Sequence, residues 1–390
     1  MPPSKASSHI GELDGVRAIA VFLVLLHHFG PVTAFPQIRL LKEVGWSGVD
    51  LFFVLSGFLI GGILFDTRER ADYYRNFYIR RSLRVFPLYY ALLIVVLAIM
   101  HVRKGGMHYQ EMLTTWGHPV WMFAYLQNFK TIFSGDPPYV FTPLWSLQIE
   151  EQFYLIFPFI VRRLSREAAM KTLIAAVIAT PLVRILFWWL FPAKPLVEYL
   201  MLPCRMDGLA LGALIALRQR MGPWRISRRA LAAAGSLLLV AAVGGFVLGG
   251  RTYNSVFERT IGYSLFAAAA ACALLWIVMF RGTQATNWLN AAPLRFVGKI
   301  SYGIYLFQMP IADLIFTPSA SVAIGILLVS GTVVTPIGFL ILCALCVGFA
   351  ALSWRFFEEP ILRLKDRFAP RESEALTTQA AASQFVKQEA

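Results

Sequence analysis

The chain has 390 residues, of which 57% are hydrophobic and only 15% charged, and its mean hydropathy is +0.61. Soluble domains carry nearer to about 25% charged residues, so the composition excludes a water-soluble globular protein and points to an integral membrane protein. The formal net charge of +14 invites a nucleic-acid reading, which its distribution along the chain argues against.

About ten apolar runs are long enough to cross a bilayer, at roughly 14–32, 47–65, 84–102, 145–162, 170–191, 199–217, 230–249, 259–280, 297–316 and 332–353. The stretch 119–133 is apolar but short, and reads as interfacial or re-entrant. No alternating ten-residue strand pattern is present, which argues against a β-barrel. The expected fold is therefore an all-α polytopic helical bundle of about ten transmembrane helices. Basic residues gather in alternate connections: Arg68 to Arg84 after span two, Arg162 to Lys171 after span four, Arg218 to Arg229 after span six, and Arg355 to Arg371 after span ten. That asymmetry follows the positive-inside rule and places both termini in the cytoplasm. The excess charge then faces anionic headgroups or a phosphorylated cofactor, not nucleic acid. The first span opens with acidic residues and has no small-residue cleavage site, so it is not read as a signal peptide. The division expected is a cytoplasmic lead at 1–12, one membrane domain at 13–370 and a disordered, Ala/Ser/Thr/Gln-rich cytoplasmic tail at 371–390.

The first span runs from Asp14 to Phe29 and carries Arg17 near its start and His27 and His28 at its end. At about 100° per residue, His28 returns to within roughly 20° of the Arg17 face, about 16 Å further along the axis. His27 lies roughly 80° away from that stripe. Ionisable groups inside a membrane are costly and mark function by default, although a histidine bonded to a neighbour and simply packed is the plain alternative. Span two opens Gly48-Val-Asp50, and its small residues Gly48, Ser56, Gly57, Gly61 and Gly62 permit close helix approach. Asp50 is either an N-cap at a helix start or a partner that orients His28. Arg80 and Arg84 share a helix face at i, i+4, with Arg81 alongside. Three guanidiniums there either anchor the helix at the cytoplasmic surface or grip phosphates in bidentate fashion. The connection 103–144 is long and aromatic, as lids and binding surfaces often are.

Glu150 and Glu151 follow within two turns of the start of span four. Adjacent helical residues point about 100° apart, so one is expected to pair with a basic or hydroxyl group and the other to meet substrate or water. Arg184 lies in span five, Arg205 and Asp207 in span six. The latter two are two residues apart and so are expected to pair with other helices rather than each other. Cys204, Cys272, Cys343 and Cys346 all fall in apolar segments. The C-x-x-C of the last two lacks nearby histidines and reads as packing, and no metal site is expected.

Taken in order, these stretches resemble the acyltransferase-3 family of integral membrane O-acyltransferases, over roughly residues 11–365. The carrying motifs are Glu12-Leu-Asp-Gly-Val-Arg17 with ten residues before His28, Gly48-Val-Asp-Leu-Phe-Phe-Val-Leu-Ser-Gly-Phe58 and the Arg80/Arg81/Arg84 cluster. Trp145-Ser-Leu-Gln-Ile-Glu-Glu-Gln-Phe-Tyr154, Ile300-Ser-Tyr-Gly-Ile-Tyr305 and Phe357-Glu-Glu-Pro360 complete the set. The resemblance implies O-acyl transfer, foremost acetyl, from cytoplasmic acetyl-CoA or another acyl-CoA to a hydroxyl of a glycan or lipid-linked sugar, in a bacterial inner membrane. It implies His28 as the catalytic histidine, acting as general base or as a transient acyl carrier. Arg17, Glu150, Glu151 and Asp50 join it in the catalytic set, Arg80, Arg81 and Arg84 bind the cofactor phosphates, and Trp145, Arg205 and Asp207 meet the acceptor. His27 falls out of the motif's register. Many members carry a histidine where this chain has Gln308, so Gln308 is given no proton-transfer role. The rival readings are a tailoring acyltransferase for a macrolide or other small molecule, and a proton-coupled transporter built on the same buried charges.

Overall fold

The computed structural model describes residues 10–102, 107–316, 329–330 and 333–368. Most of the 1–12 lead and all of the 371–390 tail lie outside them. Each of the ten apolar runs carries a helix: α1 (Gly11–Phe29), α2 (Gly48–Thr67), α3 (Tyr73–Val102), α4 (Trp145–Arg163) and α5 (Arg166–Leu190), followed by α6 (Leu202–Gln219), α7 (Arg228–Leu248), α8 (Tyr263–Met279), α9 (Ser301–Phe316) and α10 (Pro336–Ser353). Among the described residues the remaining secondary structure is short helices and a two-residue antiparallel ladder, Val329–Ser330 with Val333–Val334. The 119–133 stretch forms two short helices, Val120–Phe123 and Gln127–Ser134, and does not span.

Seven helical segments are long and apolar enough to cross a membrane. The three helices that fall short do so for reasons visible in their residues. Helix α1 carries Glu12, Asp14 and Arg17, α4 carries Glu150, Glu151, Arg162 and Arg163, and α9 has 16 residues. Helices α1 and α4 thus carry three and four charged residues within 19 residues each.

Helix starts follow local chemistry. Ser165, Ser227 and Thr335 cap α5, α7 and α10 by accepting from the amides of Ala168, Ala230 and Gly338 at 3.1, 3.1 and 3.0 Å. Helices α3, α4, α5 and α9 contain prolines (Pro87, Pro158, Pro181 and Pro310). Membrane helices tolerate such breaks when neighbours supply hydrogen bonds to exposed carbonyls. Tyr73 and Tyr78 of α3 do so for the Pro158 and Leu155 carbonyls of α4, both at 3.0 Å.

The centre of the bundle is the α2–α6 pair. A Cβ on Gly57 would meet the Leu209 carbonyl oxygen, and one on Gly212 the Val54 carbonyl, so glycine at both positions brings the two backbones into contact. Helices α5 and α7 lie outside, with exposed rows that include Ile178, Leu182, Leu237 and Val240. Three buried ion pairs cross-link the segments around this pair. Arg205 donates to Asp50 at 2.7 Å, Arg184 to Asp207 at 3.1 Å and Arg259 to Glu198 at 2.9 Å. Ser264 also bonds to both Arg184 and Asp207.

Candidate active site

His28 is half-buried at the last turn of α1. Its Nδ1 lies 3.1 Å from Oε1 of Gln308 on α9. Gln308 is fully buried, and its Nε2 donates to the Tyr305 carbonyl at 3.1 Å. One turn back, Tyr305 Oη donates to the Pro143 carbonyl at 2.8 Å and lies 2.7 Å from Ser146 Oγ. His27, with its ring 5.2 Å from that of His28, instead directs Nδ1 to the Lys42 carbonyl at 3.0 Å. One histidine thus bonds to α9 and the other to the short helix Arg39–Val44. The angular separation read from the sequence has become a difference in partners.

Nearer the middle of the bundle, Arg81 of α3 reaches both carboxylates of α4. Its Nη2 lies 3.5 Å from Glu150 and its Nε 3.3 Å from Glu151, with the guanidinium 4.0 Å above the Tyr154 ring. Tyr154 donates to Glu150 at 3.2 Å and is hydrogen-bonded to Ser56. The expected split, one glutamate paired and the other open, does not hold. A flat guanidinium placed between two faces about 100° apart serves both.

At the amino-terminal end of α1 a cleft of about 490 Å³ opens between α1, α3, the short helix Ala292–Lys299 and Trp354. Arg17, Arg84, Arg295 and Lys299 line it against a single carboxylate, Asp14, which accepts from Arg17 at 2.6 Å. Gly298 makes the cleft possible: a Cβ there would collide with the Asp14 carbonyl, so only glycine lets Ala292–Lys299 lie directly on α1. Lys299 Nζ sits 4.7 Å from the centre of the Trp354 ring. Four cations around one carboxylate, beside the half-buried Trp354 indole, give the cleft a net positive charge.

The arginine trio is accordingly divided. Arg84 lines the cleft with Arg17, Arg81 turns inward to the glutamates, and Arg80 is not among the lining residues. Asp50 neither caps α2 nor bonds to His28; its hydrogen bond comes from Arg205. Arg205 and Asp207 pair with other helices as their spacing requires, and both are buried. Trp145 packs with its ring 4.4 Å from that of Tyr199 and 5.9 Å from the Arg205 guanidinium. The residues missed in the sequence are Arg295, Lys299, Trp354 and Gln308 as a partner of His28. The i, i+4 spacing of Arg295 and Lys299 was an available signal. Cys343 and Cys346 sit in α10 as free thiols, and no metal-ligating cluster is found among the described residues.

A half-buried histidine, a charged cluster on α3 and α4 and a basic cleft are thus set in one helical bundle of the kind that spans membranes. The acyltransferase-3 family, described as an acyltransferase domain, matches residues 10–355, and the chain belongs to it. The chain is 29% identical over 376 residues to the peptidoglycan O-acetyltransferase OatA of Listeria monocytogenes, covering 90% of this chain and 56% of that protein. It is 30% identical over 381 residues to YrhL of Bacillus subtilis, which bears the same activity in its name as a provisional one, covering 90% and 55%. The chain thus spans a little over half the length of these curated relatives. No solved structure matches it significantly.

Proposed function

We propose that this chain is an O-acetyltransferase that moves an acetyl group from cytoplasmic acetyl-CoA to a hydroxyl of a cell-envelope glycan, in the cytoplasmic membrane of a bacterium. The observation that carries this reading is the polar interior joining two ends of one helix. The Arg17 end opens into the cationic cleft, the His28 end faces α9, and Arg81 with Glu150 and Glu151 lies on the neighbouring helices α3 and α4. The cleft supplies phosphate contacts for the nucleotide end of an acyl-CoA, foremost through Arg17, Arg84, Arg295 and Lys299. The eleven-residue separation of Arg17 and His28, about 16 Å of helix, is the path the acyl-bearing arm has to cover.

At the far end the acceptor hydroxyl gives its proton to His28 and its oxygen attacks the thioester carbonyl. The C–S bond breaks, and the departing thiolate takes the proton back. Arg81, Glu150 and Glu151 hold the charge of the interior in balance while the arm occupies it. Trp145 forms the acceptor-side wall, with the Asp207-anchored segment and the Arg205 N–H groups that have no partner among the described residues behind it. The named activity of the Listeria relative makes peptidoglycan the first glycan to test.

The test compares envelope O-acetyl esters in cells lacking the gene with cells complemented by wild type, His28→Ala or His27→Asn. General acid–base catalysis contributes about 10²–10⁴-fold, so His28→Ala should restore no measurable ester, while His27→Asn restores at least half. Equal restoration by wild type and His28→Ala removes His28 from the chemistry. No change in any ester redirects the search to a small-molecule acceptor.

A further inference from the structure

The Gln308 amide is held in one orientation, and that orientation dictates where the His28 proton sits. Gln308 Nε2 lies 3.1 Å from the Tyr305 main-chain carbonyl, which can only accept, so the amide nitrogen must face it and Oε1 must face His28. Oε1 can also only accept, and it lies 3.1 Å from His28 Nδ1. The hydrogen between them therefore belongs to Nδ1. Gln308 is completely buried, and the helix turn carrying it is pinned through Tyr305 to Pro143 and Ser146, so no alternative amide orientation is hydrogen-bonded as well.

We propose that Gln308 is a positioning residue that keeps neutral His28 in the Nδ1–H tautomer and so makes Nε2 the basic nitrogen. This rests on the reading of His28 as the base in acetyl transfer. In that reaction Nε2 receives the acceptor's O–H proton as the C–O bond forms, and returns it to the thiolate as the C–S bond breaks. The Nδ1 proton stays on Nδ1 throughout, donated to the Gln308 oxygen, and Gln308 itself neither gains nor loses a proton. An amide is suited to this role because it accepts without adding a charge to the membrane interior. A carboxylate there would hold the same tautomer but would also favour the imidazolium. The other titratable or charged groups near the ring are His27 and Lys42, and the variants below leave both unchanged.

The experiment is nitrogen-15 NMR of histidine-labelled full-length chain in lipid nanodiscs, which needs neither donor nor acceptor. The chain has six histidines, and subtraction of the His28→Ala spectrum assigns the resonances of interest. Wild type should show His28 with protonated Nδ1 and unprotonated Nε2. Gln308→Leu should shift the population toward Nε2–H and lower kcat for acetyl-CoA and a peptidoglycan oligosaccharide by about 10- to 100-fold, the range for a metal-bound histidine that loses its orienting partner. Gln308→Glu should keep the Nδ1–H form and move the acidic limb of the pH–rate profile to higher pH, because the base then stays protonated further up the scale.

A wild-type His28 in the Nε2–H form, or a Gln308→Leu spectrum identical to wild type, overturns the assignment. If Gln308→Leu does not fold, Gln308→Glu decides: a changed tautomer or an unmoved acidic limb overturns it. Should the spectra behave as stated while His28→Ala retains acetyl transfer, the tautomer assignment stands and the catalytic reading falls.

Discussion

Two adjacent histidines show how one residue step changes a side chain's partner. His28 meets a side chain of α9, whereas His27 meets the Lys42 main-chain carbonyl of the short helix Arg39–Val44. The same contrast governs the buried charges. The Arg205 guanidinium is 4.3 Å from the Tyr263 ring and 5.2 Å from that of Tyr199, and among the described residues its carboxylate bond is to Asp50. Removing one partner of a buried pair strands the other, at about 3–5 kcal/mol. Asp50→Ala and Arg205→Met should therefore each sharply reduce folded protein in detergent, read by size-exclusion monodispersity and thermal aggregation. The double variant should lose much less than the sum of the two, since it leaves no stranded charge. Strict additivity would show that the pair is not coupled.

At the scale of elements, small residues decide which helices touch. Gly57 and Gly212 bring α2 and α6 to backbone contact, and Gly298 seats Ala292–Lys299 on α1. Gly244 of α7 has nothing within 4 Å of its Cβ position. Gly57→Val and Gly212→Val should abolish accumulation of folded protein, whereas Gly244→Ala should leave it at wild-type level, and even gain slightly from helix propensity. Expression and monodispersity measured side by side check this, and equal tolerance at the three positions would contradict the close approach. The consequence for function is direct: Arg205 and Asp50 sit on the two helices this contact joins, and Gly298 places Arg295 and Lys299 beside Arg17.

For the whole molecule, the net charge of +14 is not spread evenly. Four of those cations converge on one cleft with a single opposing carboxylate, a concentration of field that recruits anions and weakens with salt. Replacing Arg295 and Lys299 together by alanine should raise KM for acetyl-CoA at least tenfold, with kcat within about twofold of wild type. It should also flatten the dependence of that KM on ionic strength. An unchanged KM would remove this cleft from donor binding.

The sequence alone determined the class of the fold and the axis of the site. Long apolar runs cannot remain in water, and the ten-residue interval between Arg17 and His28 sets their faces and spacing through helix geometry alone. It also held the rule that Arg205 and Asp207 cannot pair with each other, because residues two apart point away from one another. What it could not hold was any choice of partner between helices. One guanidinium serving both Glu150 and Glu151, Asp50 going to Arg205 rather than His28, and Arg295, Lys299 and Trp354 closing on Arg17 all depend on how helices remote in sequence cross. Local periodicity gives the direction in which a side chain leaves its own helix. The close approaches at Gly57, Gly212 and Gly298 decide what it meets there, and so only the tertiary structure gave one end of α1 a cationic cleft and the other a hydrogen bond to Gln308.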